Sequence, residues 1–167
     1  NGWLNLAGSE YVVANLSDGM SSQINSGIFT FDCWVKHDED YDQAVMVTET
    51  YFCLRDNGTS GNRFKLQKFA SGSDTVVIRF TVEGGNTITY SSATRDELDE
   101  GEWHYIALVS NGLSSRQIYS AKTGATSLTA ETANTTTYSN TNVWDEIQIG
   151  QKQEGGGDTG LEMVRGS

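Results

Sequence analysis

Proline is absent from this chain, so no turn is made by a residue of fixed φ, and reversals fall to Gly, Asn, Asp and Ser. Histidine and cysteine each occur only twice. With them go the ligand spacings of a zinc site, and neither a Gly-x-Ser-x-Gly elbow nor a phosphate-cradling glycine loop is present, which excludes nucleophilic, zinc and nucleotide chemistry. Cations are scarce: 11 Lys+Arg stand against 22 Asp+Glu, a net charge of -11 and a pI near 4.4. Such a field repels phosphate backbones and anionic lipid, so nucleic acid is excluded as a partner. No apolar stretch is long enough to span a bilayer, so membrane insertion is excluded too. The amino terminus, NGWLNLAGSEYVVANL, lacks the basic, apolar and small-residue regions of a signal peptide. With Asn first and MVRGS last, the expectation is a single domain over 1–167 that is a processed piece of a larger protein.

What is present is the vocabulary of an all-β fold. A chain of 167 residues buries roughly 70% of its unfolded surface in one domain. Gly counts 18, and Ser plus Thr come to 35. Period-2 alternation recurs in residues 10–16, 27–36, 44–55, 63–69, 75–82, 87–92, 102–110, 116–121, 145–150 and 160–165. So many strands require two sheets or a barrel, with most neighbours antiparallel hairpins and tight turns at Asp56-Asn57-Gly58, Gly84-Gly85-Asn86 and Asn111-Gly112. The Ser/Thr-rich tract 123–142 reads as one weak strand and a long loop. The best helical candidate, TRDELDEGE (94–102), is short and acidic, so little helix is expected.

GIFTFDCWVKHDED resembles the laminin G and pentraxin pattern in which an FTxxxWVK strand precedes a polar loop, and LDEGEWHYIALVSNG resembles that family's GxWHxVALVxxG strand. LNLAGSEYVVANL, RQIYSAKTGA, DEIQIGQ and GLEMVR resemble, in the same order, its opening strand, its hairpin and its closing strands. The resemblance implies a two-sheet β-sandwich, the concanavalin A-like jelly roll, with Trp34 and Trp103 in the core. It also implies that His104 packs and hydrogen-bonds rather than catalyses. The chain departs from the pattern at the hairpin glycine, displaced to Gly124, and at the closing strand, where Leu161-Glu162 replaces an Asp.

Candidate chemistry is then limited to carboxylates, cations and rings. Paired glycosidase carboxylates on one strand face are missing, because adjacent Asp145 and Glu146 point to opposite faces. Asp38, Asp40 and Asp42 cluster hard oxygens at the spacing calcium takes, although a solvated acidic turn is the simpler reading. Cys33 shares a face with Phe29, Phe31 and Val35, and Cys53 one with Tyr51, Glu49 and Arg55. A disulfide and two separate thiols both stay open, with thiols the default. Residues 55–79 carry +3 while the remainder carries -14, and Arg63, Lys65 and Gln67 share a strand face, as aggregation-blocking edge lysines or as a contact for an acidic partner.

The expectation is a non-catalytic recognition module, carbohydrate-binding, on an extracellular, cell-surface or virion-surface protein. Its partner is a glycan or another protein. Tyr51, Arg55 and Lys65 are its candidate ligand face for an acidic or sulfated sugar, and Tyr138 is a second candidate. The alternative is a structural or assembly subunit, such as a virion decoration or surface-layer domain, that associates with its own copies. A carboxylate glycosidase is a distant third.

Overall fold

The computed structural model describes residues 12–36, 49–56, 63–70, 76–82, 102–130 and 143–150, with the single positions 133, 135 and 137. Nine strands and one helix make up these segments: β1 (Val12–Asn15), α1 (Asp18–Asn25), β2 (Ile28–Lys36), β3 (Glu49–Arg55), β4 (Arg63–Ala70), β5 (Val76–Val82), β6 (Trp103–Asn111), β7 (Arg116–Lys122), β8 (Thr129–Ala130) and β9 (Glu146–Ile149). They form a five-stranded sheet ordered β1-β9-β3-β4-β5 and a four-stranded sheet ordered β2-β6-β7-β8. Every pairing is antiparallel. The expected all-β sandwich is what the chain forms. The alternating runs 87–92 and 160–165, residues 44–48 and the acidic segment 94–101 lie outside the described residues.

The core follows from alternation. Phe52, Leu54, Phe64, Leu66, Ile78 and Phe80 line the inner face of the larger sheet, and Val35, Ile106, Leu108 and Ile118 that of the smaller. Rings join the layers: Phe31 lies 3.6 Å from Phe52 and Phe29 lies 5.2 Å from Phe64, centroid to centroid. Phe64 also meets Phe80 edge-on at 4.1 Å, a geometry that aromatic quadrupoles favour.

Helix α1 was not legible as an apolar stripe, because its sequence DGMSSQIN is mostly polar. Its signal is local. Ser17 is the N-cap, its Oγ accepting the Met20 N–H at 3.3 Å, with Asp18 in the first turn where the helix dipole favours an anion. Its buried residues, Ser21 and Ile24, close one end of the sandwich: the Trp144 backbone N–H donates to Ser21 Oγ at 2.8 Å and its indole N–H to Asn25 Oδ1 at 3.0 Å. Trp144 is thereby fixed in the core at 1% exposure.

The β2–β6 pair, which carries the site described below, is locked at its end by Gly27. This residue has φ +76°, and a Cβ there would stand 2.7 Å from the Gly112 carbonyl carbon. The Gly27 carbonyl accepts from the Gly112 N–H at 2.8 Å and from the Ser110 hydroxyl at 2.7 Å. Any side chain at 27 would part the strands.

Candidate functional site

Alternation along β2 that sends Phe29, Phe31, Cys33 and Val35 inward leaves Ile28, Thr30, Asp32, Trp34 and Lys36 on the outer face. On β6, inward His104, Ile106, Leu108 and Ser110 leave Trp103 and Tyr105 outward. The register places Trp34 opposite Tyr105, and Tyr105 opposite Ala121 on β7. The Trp34 and Tyr105 rings consequently lie side by side, 5.4 Å between centroids and inclined at 53°. Trp34 is 53% exposed, so a large apolar ring is presented to water.

The turn after β7 raises a wall beside these rings. Gly124, at φ +85°, supplies the left-handed conformation the turn needs. The Thr123 backbone N–H donates to the Trp103 carbonyl at 2.9 Å and its hydroxyl to the same oxygen at 3.1 Å. Between wall and sheet lies a groove of about 330 Å³, lined by Trp34, Tyr105, Ala121, Lys122 and residues 124–128. An adjoining hollow of about 290 Å³ reaches His104, Ser120 and Thr129 and shares Lys122 with it.

Polar groups at the groove are held in place. The Tyr105 hydroxyl donates to Asp32 Oδ2 at 2.8 Å. That bond to a carboxylate favours the protonated phenol and raises the Tyr105 pKa, with burial and the Asp32 charge adding to it. Lys122 Nζ lies 3.9 Å from Glu102 Oε2. Behind the ring, burial pushes the Cys33 thiol up to about 12, the Asp32 charge contributing after it. A thiol so protonated is no nucleophile near neutral pH. Cys33 and Cys53 are free thiols, and they belong to different sheets.

The outer face of the five-stranded sheet differs. The register aligns Cys53 with Lys65 and Gln148, and Lys65 with Thr81. A register shift between Thr50 and Phe52 puts Thr50 on this face as well. Its hydroxyl accepts from Gln67 Nε2 at 3.0 Å, and Gln67 Oε1 accepts from Arg79 Nε at 3.2 Å. Arg55 Nη1 lies 3.9 Å from Glu146 Oε1, which also accepts from Gln148 Nε2 at 2.6 Å. This polar array is covered: Tyr51 is 2% and Lys65 1% exposed.

Three expectations are corrected here. Trp34 is on the outer face, not in the core; Trp103 is half-buried. Arg55 and Lys65 share a face as expected, but Tyr51 falls at the register shift and packs in the hydrophobic core cluster, and Tyr51 and Lys65 are buried, so their ring and ammonium are not presented to solvent. Nor is Lys65 an edge lysine, because β4 pairs with β3 on one side and β5 on the other. His104 is buried at 2% exposure on the inner face. Tyr138 and the acidic loop of Asp38, Asp40 and Asp42 lie outside the described residues. Trp34, Tyr105 and Asp32 were missed as a site, although the alternation that grouped Cys33 with Phe29, Phe31 and Val35 already sent Trp34 and Asp32 the other way.

A laminin G-type family model, described as the Concanavalin A-like lectin/glucanases superfamily, matches residues 7–162. The chain belongs to this superfamily. No curated protein matches it. Within a lectin/glucanase superfamily, binding and hydrolysis are the two uses to separate. Glu146 is the acidic strand residue nearest to a glycosidase pattern, and its Oε1 faces Arg55 and Gln148 within the covered face. The exposed groove offers rings, and beside it stands one carboxylate, Asp32, fixed by the Tyr105 hydroxyl, the equipment of recognition. A carbohydrate- or protein-binding module is therefore the general class to which this concanavalin A-like domain belongs.

Proposed function

We propose that this domain is a non-catalytic recognition module, part of a larger extracellular or surface protein, and that it holds a carbohydrate in the groove on the outer face of the four-stranded sheet. The observation that carries the reading is Trp34, 53% exposed beside Tyr105 and above a groove of about 330 Å³. An exposed indole costs apolar surface in water, and the apolar face of a pyranose removes that cost by stacking on it. Tyr105 and Lys122 line the groove and Asp32, held by the Tyr105 hydroxyl, stands beside it, polar groups for the ring hydroxyls. A glycan array followed by calorimetric titration tests this. Wild type is expected to bind defined sugars, and Trp34→Ala to lose at least tenfold in affinity; equal binding by Trp34→Ala removes the groove from the proposal.

Assembly from copies of the chain is the second reading, favoured by Val12 and Val13, 37% and 43% exposed on β1, which among the described strands pairs only with β9. Light scattering on the same samples separates the two: a monomer that binds sugar supports recognition, and self-association without sugar binding supports assembly. A calcium ion held by Asp38, Asp40 and Asp42 belongs to the same proposal, on the strength of their clustered oxygens. At 100 times its Kd such an ion adds about 2.7 kcal/mol, so the melting temperature in calcium is expected to exceed that in chelator, and identical curves refute it.

A further inference from the structure

We infer that the Trp34 groove selects uncharged glycans and that Asp32 is its specificity-determining residue; the inference rests on the recognition-module reading above. The charged groups around the groove decide it. Asp32 stands on the exposed sheet face two positions from Trp34, and Lys36 two positions beyond Trp34 on the same face. Lys122 and Glu102 face each other at 3.9 Å. Among the described residues, these two anions and two cations leave no net local attraction for an anionic ligand. Beyond them acts the field of a chain carrying -11, which repels polyanions. The cations that suggested an acidic ligand, Arg55, Lys65 and Arg79, belong to the other sheet and sit on its far face. Packed sheets are about 10 Å apart, so those cations act on the groove only as part of the whole chain's charge, which is negative.

Asp32 supplies the positive half of the selection. Its Oδ2 accepts the Tyr105 hydroxyl at 2.8 Å, which orients the carboxylate at the ring's edge, while a carboxylate has about four lone-pair sites in all. Sugar hydroxyls donating to the remaining sites make charge-assisted hydrogen bonds, shorter and stronger than neutral ones. A uronate or sulfate in the same place sets like charges together, which costs binding energy. Tyr105 is a positioning residue, acting through Asp32, as well as a wall of the groove.

The test titrates wild type, Trp34→Ala, Asp32→Asn and Tyr105→Phe with neutral, uronic and sulfated oligosaccharides of matched length, at low and at physiological salt. Neutral oligosaccharides are expected to bind wild type with little salt dependence. Asp32→Asn is expected to lose about tenfold on them, or roughly 1.4 kcal/mol, while its discrimination against the sulfated set shrinks. Tyr105→Phe is expected to fall between the two. Tighter binding of the uronic or sulfated set, abolished by Trp34→Ala and weakened by salt, overturns the inference and leaves the module reading standing. Absence of all sugar binding, peptide binding in its place, or binding that Trp34→Ala does not touch overturns both. Asn is isosteric with Asp and Trp34 is half exposed, so none of these variants endangers the fold.

Discussion

The outer faces of the two sheets invert the ordinary relation between polarity and exposure. On the four-stranded sheet the outer face shows water an indole, Trp34 at 53% exposure. On the five-stranded sheet it hides Thr50, Lys65, Gln67 and Gln148, each at 1% exposure or less. Alternation assigns both faces apart from Thr50, which the register shift moves, yet it is silent on which is covered. Apolar surface left open at a cost, next to a groove, marks a binding surface; polar surface closed off and hydrogen-bonded in rows marks structure, because buried polar groups must find partners. Recognition is thus proposed for the first face, and the second contributes to stability.

The sharpest break would come from truncating one buried ring and one exposed ring. Tyr51→Ala is expected to cost about 3 kcal/mol or more, as for other large buried rings, without altering sugar affinity per folded molecule. Trp34→Ala is expected to cost under about 1 kcal/mol and to lose at least tenfold in sugar affinity. Urea denaturation beside titration measures both, and a stability loss larger at Trp34 than at Tyr51 would reverse the comparison.

A smaller effect concerns the layer beneath the groove. Burial pushes the Cys33 thiol up to about 12 from an ordinary 9.0, so both folded and unfolded chains keep it protonated below about pH 9. Above that the unfolded chain ionises first, and stability is expected to fall between about pH 9 and pH 12. Cys33→Ser, compared with wild type across that range, is expected to flatten the fall, and an equal fall in both places its origin elsewhere. Reaction with a thiol reagent at neutral pH is expected to be slow until denaturant is added.

The smallest effect is at the rim. The Tyr105 phenol is expected to ionise above its ordinary 10.0, and Asp32→Asn to bring it down by removing the acceptor charge. Ultraviolet difference titration against Tyr105→Phe isolates this one phenol among seven tyrosines. An unshifted midpoint in Asp32→Asn would mean that the carboxylate does not orient the ring in solution.

Much of this architecture was legible without coordinates. The described strands fall within or beside alternating runs, since a period of two is imposed by the backbone itself, and the groupings of Phe29 with Phe31 and Cys33, and of Lys65 with Gln67, are parity alone. Helix α1 was not, because eight residues of mostly polar sequence hold their helix by a cap at Ser17 and by Trp144 docking from far along the chain. The register shift at Thr50–Phe52 was not legible either, because an extra residue in one strand leaves no mark in its own composition.

Composition and alternation by themselves determined that this chain is all-β and, away from the register shift at Thr50–Phe52, which side chains share a strand face, because turn chemistry and pleat are local properties. Which outer face is sealed, that Trp34 meets Tyr105 at 5.4 Å, and that Asp32 receives the tyrosine hydroxyl were decided only in three dimensions. Those facts depend on strand order and cross-strand register, and these are set by how both sheets bury their apolar faces together.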